Sequence, residues 1–195
     1  WSRLRKNGDG PENRRGGSIS LIGLPALDAQ RDFLNQLSMT LFSWIKKHPH
    51  PPAGRALRGL LVIDEAKDFV PGQASSACKA NMQRLTAQAR KYKLGIVFAT
   101  QHPKDIDTKI VGNCATHFYG RASAPASLQT LSELMAGRGS NANDFSRLKT
   151  GQFYVHFPDG ELETPTKVQI ADSLTSGRLL EEHELQAKAE RSRGK

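Results

Sequence analysis

Leu60-Leu-Val-Ile-Asp-Glu-Ala66 sets two carboxylates at the end of a continuous apolar run that opens at Gly59. A run without polar alternation reads as a strand covered on both faces, the kind found in parallel sheets. In open α/β sheets ligands bind beyond the carboxyl ends of the strands, so Asp64 and Glu65 would emerge at the binding edge. An Asp there can hold Mg²⁺, and the next carboxylate can orient or deprotonate a water that attacks a γ-phosphate. The plainer alternative is that Asp-Glu ends the strand and caps the segment after it.

Downstream, Leu94-Gly-Ile-Val-Phe-Ala-Thr100 is another apolar run, and it ends in Thr100 and Gln101 rather than in a turn residue. A glutamine at a strand tip can hydrogen bond to a γ-phosphate or to the attacking water, although an ordinary polar loop residue would look the same. Ala89-Arg-Lys-Tyr-Lys93 precedes this strand. Arg90 in that cluster is a candidate arginine finger, since charge builds on the phosphoryl oxygens during transfer. A solvated helix end whose cations suit the helix dipole is the competing reading.

The intervening pattern supplies helices. Cys78, Met82, Leu85, Ala89 and Tyr92 recur at steps of four and three, one face of a helix reached by a loop over 68–75. Upstream, Ser18 to Leu24 reads as a short strand stopped by Pro25. A helix capped by Asp28 follows, with Leu34, Leu37, Leu41 and Trp44 on its apolar stripe and Pro49, Pro51 and Pro52 forbidding its continuation. Beyond the second apolar strand, Thr116 to Tyr119 is a fourth strand. Pro125 opens a helix carrying Leu128, Leu131 and Leu134, with Gly137 and Gly139 past its end. Gln152–Phe157, the turn Pro158-Asp-Gly160 and Lys167–Ile170 read as a late hairpin, and a charged helical tail runs from Arg178. Strands alternating with helices of this length predict an α/β core with a mainly parallel sheet, a C-terminal hairpin and a helical tail.

Composition bounds the partners. The 195 residues suit one domain with a buried core, and 28 Lys plus Arg against 19 Asp plus Glu give +9, which favours a polyanionic partner. Much of the excess lies in residues 1–17, read as a flexible basic segment; the core is expected over 18–172 and the tail over 173–195. Cys78 and Cys114 form no CxxC pair and read as small core hydrophobes in a reducing, cytoplasmic setting. No run approaches the roughly 18 apolar residues of a membrane span. The histidines show no HExxH and there is no GxSxG, so zinc chemistry and a serine nucleophile lack support.

Taken in order, LLVIDEA, RKYKLGIVFATQHPKDID and IVGNCATHFYGR resemble the HerA/FtsK superfamily of DNA-pumping ATPases, over roughly residues 18–172. The resemblance implies a RecA-like fold that hydrolyses ATP with Mg²⁺ between subunits of a ring, a hexamer by expectation, to translocate duplex DNA, with a nuclease or other processing protein as a further partner. It assigns the Walker B pair to Asp64, the Mg²⁺ ligand, and Glu65, and the polar sensor to Gln101. It assigns the arginine finger to Arg90, with Arg121 as a second candidate. For DNA contact the loops after the two strands offer Lys67, Lys104 and Lys109, as phosphate contacts without sequence choice.

One departure from that family is plain: no GxxxxGK[ST] occurs in these residues. Such a loop cradles phosphates with backbone N–H groups and a lysine, and nothing here replaces it. The resemblance places it upstream of the matched region, so the expectation is the Walker B half of a longer core that binds ATP poorly alone. A conjugation or type IV secretion ATPase would share these motifs. A non-catalytic assembly or DNA-binding module without the loop is the reading from another class.

Overall fold

In α1 (Leu27–Lys47) apolar residues recur at helical spacing, and they face a second helix and a sheet. The computed structural model describes residues 2–4, 19–22, 26–48, 57–135, 143–157, 162–171 and 184. Two units are distinguished, residues 1–26 with 173–195, and residues 27–172. In the first, β1 (Ser2–Leu4) pairs antiparallel with β2 (Ile19–Leu21), Ser2 opposite Leu21. The charged tail expected from Arg178, apart from Glu184, lies outside the described residues.

The second unit holds the elements that place the site. Strands β3 (Gly59–Ile63) and β4 (Leu94–Phe98) run parallel with Ile63 opposite Phe98. Between them come α2 (Ala77–Ala89) and a turn of 3₁₀ helix, Arg90–Tyr92. Met82, Leu85, Ala89, Leu34 and Ile45 pack with Ile63 and Leu94 into one core, so α1 and α2 form a layer on one face of the strand pair. Asn81 Nδ2 donates to Asn35 Oδ1 at 2.7 Å across that helix pair. Ser76 caps α2, its hydroxyl accepting from the Lys79 N–H at 3.1 Å.

Three expectations change here. Gly59 to Ile63 is not covered on both faces: Leu60 and Val62 are 60% and 59% exposed while Ile63 is buried, and Val97 on β4 is 44% exposed. Among the described residues helices cover one face only, so a sequence rich enough in apolar residues for two covers shows just one. Trp44 is 47% exposed and Ile45 buried; eleven residues make about three turns, which returns Ile45, not Trp44, to the side of Leu34. Asp28 lies within the first turn of a helix that begins at Leu27, 3.7 Å from the Arg31 guanidinium.

The chain continues through α3 (Thr108–Asn113), β5 (His117–Tyr119), α4 (Pro125–Met135) and α5 (Asn143–Ser146) to β6 (Gln152–Phe157) and β7 (Leu162–Gln169). The expected hairpin forms, and its turn at 158–160 lies outside the described residues, as do Gly137 and Gly139. The fourth strand, β5, pairs antiparallel with β6, giving the order β5-β6-β7. Pro165 sits on β7, the edge strand, where a missing N–H costs no ladder bond. Tyr119, Leu131, Met135, Phe145 and Leu148 make a second core under this sheet. The α/β architecture with flanking helices is therefore present, its parallel part being β3 and β4.

Cys78 is buried and Cys114 half-buried, and burial pushes both thiols up. Cys78 is the small core residue expected, whereas Cys114 lies outside the buried core and donates to the Ile110 carbonyl at 3.3 Å.

Candidate active site

Beyond Ile63 the two parallel strands stay joined. The Ala99 N–H donates to the Ile63 carbonyl and the Ala66 N–H to the Ala99 carbonyl, each at 2.9 Å. Asp64 and Glu65 are thereby pinned between two backbone anchors. To make that step Glu65 adopts φ 47° and ψ 48°, the left-handed conformation that non-glycine residues rarely take. The Asp64 carboxylate accepts the Glu65 N–H at 3.0 Å, a local bond that supports the turn.

The consequence is that three side chains named from the sequence share one place. Gln101 Nε2 donates to Glu65 Oε1 at 2.7 Å. Glu65 Oε2 is buried and has no hydrogen-bond partner, and an orphan acceptor of that kind calls for a donor or a cation. Asp64 is exposed at the same strand end. Two carboxylates with open oxygens fit Mg²⁺ shared with a phosphate, since that ion takes one or two carboxylates and keeps water or phosphate oxygens for the rest. A cage built wholly of protein is not on offer, because no group of three or more His, Cys, Asp or Glu at metal-binding distance occurs among the described residues.

The remaining candidates are spread. Lys67 lies on the 3₁₀ turn Ala66–Asp68, Lys104 on the turn Pro103–Asp105 and Lys109 in the first turn of α3, all on the edge that bears Asp64. Arg90 lies at the opposite edge, before the start of β4, about 13 Å of strand length away. Arg121 is exposed just past β5. Neither arginine joins the carboxylates within this chain.

A polar network that no local pattern announces joins α2, α3 and the loop before α2. Buried Asp107 caps α3 through the Lys109 and Ile110 N–H groups at 3.0 and 3.2 Å, and accepts Gln83 Nε2 at 2.9 Å. Its other oxygen is 3.0 Å from Lys79 Nζ. That ammonium also donates to the carbonyls of Gly72 and Ala74, at 3.0 and 3.1 Å. Burial opposes charge on Asp107, but Gln83, Lys79 and the Ile110 amide together hold its carboxyl below the ordinary value of 3.8. Arg31 Nε similarly donates to the Asp68 carbonyl at 2.8 Å, tying α1 to the turn after Glu65. An Asp before Thr-Lys-Ile-Val is an N-cap signal, whereas its pairing with Lys79 is long-range and leaves no local trace.

With the geometry described, the fold can be placed: it is similar to that of two solved structures of one protein. They are the genome packaging NTPase B204 from Sulfolobus turreted icosahedral virus 2, in complex with AMP and with AMPPCP. The TM-scores are 0.51 and 0.50, the identities 18% and 19%, and the matches cover 73% and 74% of this chain. The chain spans 63% of the length of either B204 chain. No family model and no curated protein matches it. At such identity the likeness carries the fold.

Proposed function

We propose that the chain is the Walker B part of an ATPase that moves DNA, with Asp64, Glu65 and Gln101 as its reacting edge. The Gln101–Glu65 hydrogen bond at 2.7 Å carries this reading, because it joins two side chains 36 residues apart at the tips of adjacent parallel strands. The B204 fold supports it, and those proteins, crystallised with nucleotides, package a genome. Asp64 would hold Mg²⁺, which would supply positive charge to offset the anionic oxygens of the ATP phosphates. Glu65 keeps one oxygen fixed by Gln101 and turns the other to the attacking water, orienting it and accepting its proton. Gln101 reports the state of that carboxylate to the turn that follows it.

A phosphate-cradling loop from outside these residues completes the site. Arg90, at the far edge of the sheet, is then offered to a neighbouring subunit's nucleotide in a ring, expected to be a hexamer, with Arg121 as the second cation. Lys67, Lys104 and Lys109 are DNA-contact candidates, and duplex DNA is the substrate moved. The test is Glu65→Gln in a protein that carries the loop. ATP affinity stays within about threefold while turnover falls at least about a hundredfold, the scale of losing a general base. Unchanged hydrolysis would remove Glu65 from the mechanism.

A further inference from the structure

The edge of the sheet opposite the carboxylates has a charge pattern of its own. Residues 33–63 and 69–104 contain no Asp or Glu. These stretches bring Lys46 and Lys47 at the end of α1, Arg58 before β3, and Lys91 and Lys93 before β4 to one side. Direct contacts join them: the Arg58 N–H donates to the Lys93 carbonyl at 2.8 Å, the Arg58 guanidinium lies 4.9 Å over the Trp44 ring and donates to the His48 carbonyl, and His48 stacks on Trp44 at 4.8 Å. Lys46 lies 4.0 Å over Phe42 and Lys91 5.7 Å over Tyr92. All three cation–π contacts among the described residues are on this edge. No described carboxylate pairs with Lys46, Lys47, Arg58, Lys91 or Lys93.

We infer that this edge is a binding surface for the phosphate backbone of duplex DNA. Helix-dipole complementarity explains only the two lysines that end α1; Arg58, Lys91 and Lys93 belong to other elements. Rings that hold cations in place lower the entropy lost when those cations meet phosphates. Trp44 is already stacked on His48 and Arg58, so it serves to position cations, and the surface reads backbone rather than bases. Lys67, Lys104 and Lys109 are, by contrast, interspersed with Asp68, Asp105 and Asp107, which weaken their pull on a polyanion. The choice of DNA over another polyanion rests on the proposed DNA-moving function.

The test titrates short mixed-sequence duplex DNA with the whole chain and with Lys46→Glu/Lys47→Glu, Lys46→Gln/Lys47→Gln and Lys104→Glu/Lys109→Glu, across salt concentrations. Both Lys46/Lys47 variants weaken binding, the glutamate pair by at least about tenfold, and flatten log K against log salt by about 1.8, or 0.9 per lost phosphate contact. Thermal melts show that they remain folded. Four results overturn the surface: no binding by the unmodified chain at low salt, binding unchanged in the folded Lys46/Lys47 variants, a larger loss in the Lys104/Lys109 variant, or displacement of DNA by poly-glutamate as effectively, charge for charge, as by competing duplex. Hydrolysis is not read in this titration, so its failure leaves the Glu65 assignment standing. Unchanged turnover in Glu65→Gln would likewise leave the surface standing.

Discussion

Asp107 is the residue whose substitution separates charge from packing. Lys79 is 14% and Asp107 9% exposed at the side chain, so removing one leaves the other buried without its partner. Asp107→Ala is expected to lose about 3–5 kcal/mol in denaturant unfolding. Asp107→Ala combined with Lys79→Met should lose clearly less than the two single changes added together. The pH dependence follows from the direction of the shift. With the folded carboxyl held below the ordinary 3.8, its stabilisation is complete above about pH 5 and fades as pH falls through the lowered folded value. Melting temperature against pH should therefore be flatter for Asp107→Asn on the acid side. Of these partners the chain announces only the cap; Gln83 and Lys79 come from a helix that folds over from a distance, so no spacing rule reaches them. Asp64, Glu65 and Gln101 were legible because each sits at the end of an apolar run, where a chain position fixes a place in space.

At the level of elements, α2 shows how far periodicity carries and β3 where it stops. Cys78, Met82, Leu85 and Ala89 are all buried, as their spacing requires. Met82→Ala is expected to cost about 2–5 kcal/mol by cavity formation, and Ser76→Ala about 1 kcal/mol by loss of the cap, both measured by denaturant titration. In β3 the composition was read correctly as apolar, but composition cannot say how many layers lie against a strand. Ile63→Ser should be severe and Val62→Ser within about 1 kcal/mol, since only Ile63 is buried. The reverse ranking would show that the exposed face is covered in solution. Trp44 fell on the wrong side because one residue of phase error accumulates over three turns, and β5 found its partner in β6, a strand of much later sequence whose pairing no local pattern encodes.

At the scale of the whole molecule, the two edges of the parallel pair differ in kind: one mixes acids with bases around a partly satisfied glutamate, and the other gathers Lys46, Lys47, Arg58, Lys91 and Lys93 with no described carboxylate paired to them. The alternation of strands and helices was enough to read an α/β core. Which strands run antiparallel was not, because direction depends on how the chain returns after α4. Glu65 ties this scale back to the first. Its left-handed backbone is a place where glycine fits without penalty, so Glu65→Gly should unfold at equal or slightly higher denaturant, by up to about 1 kcal/mol. A laboratory selection for heat resistance alone would then drift toward glycine at this position, discarding the carboxylate with the unpartnered oxygen. Robustness and turnover would be pulled apart at a single codon.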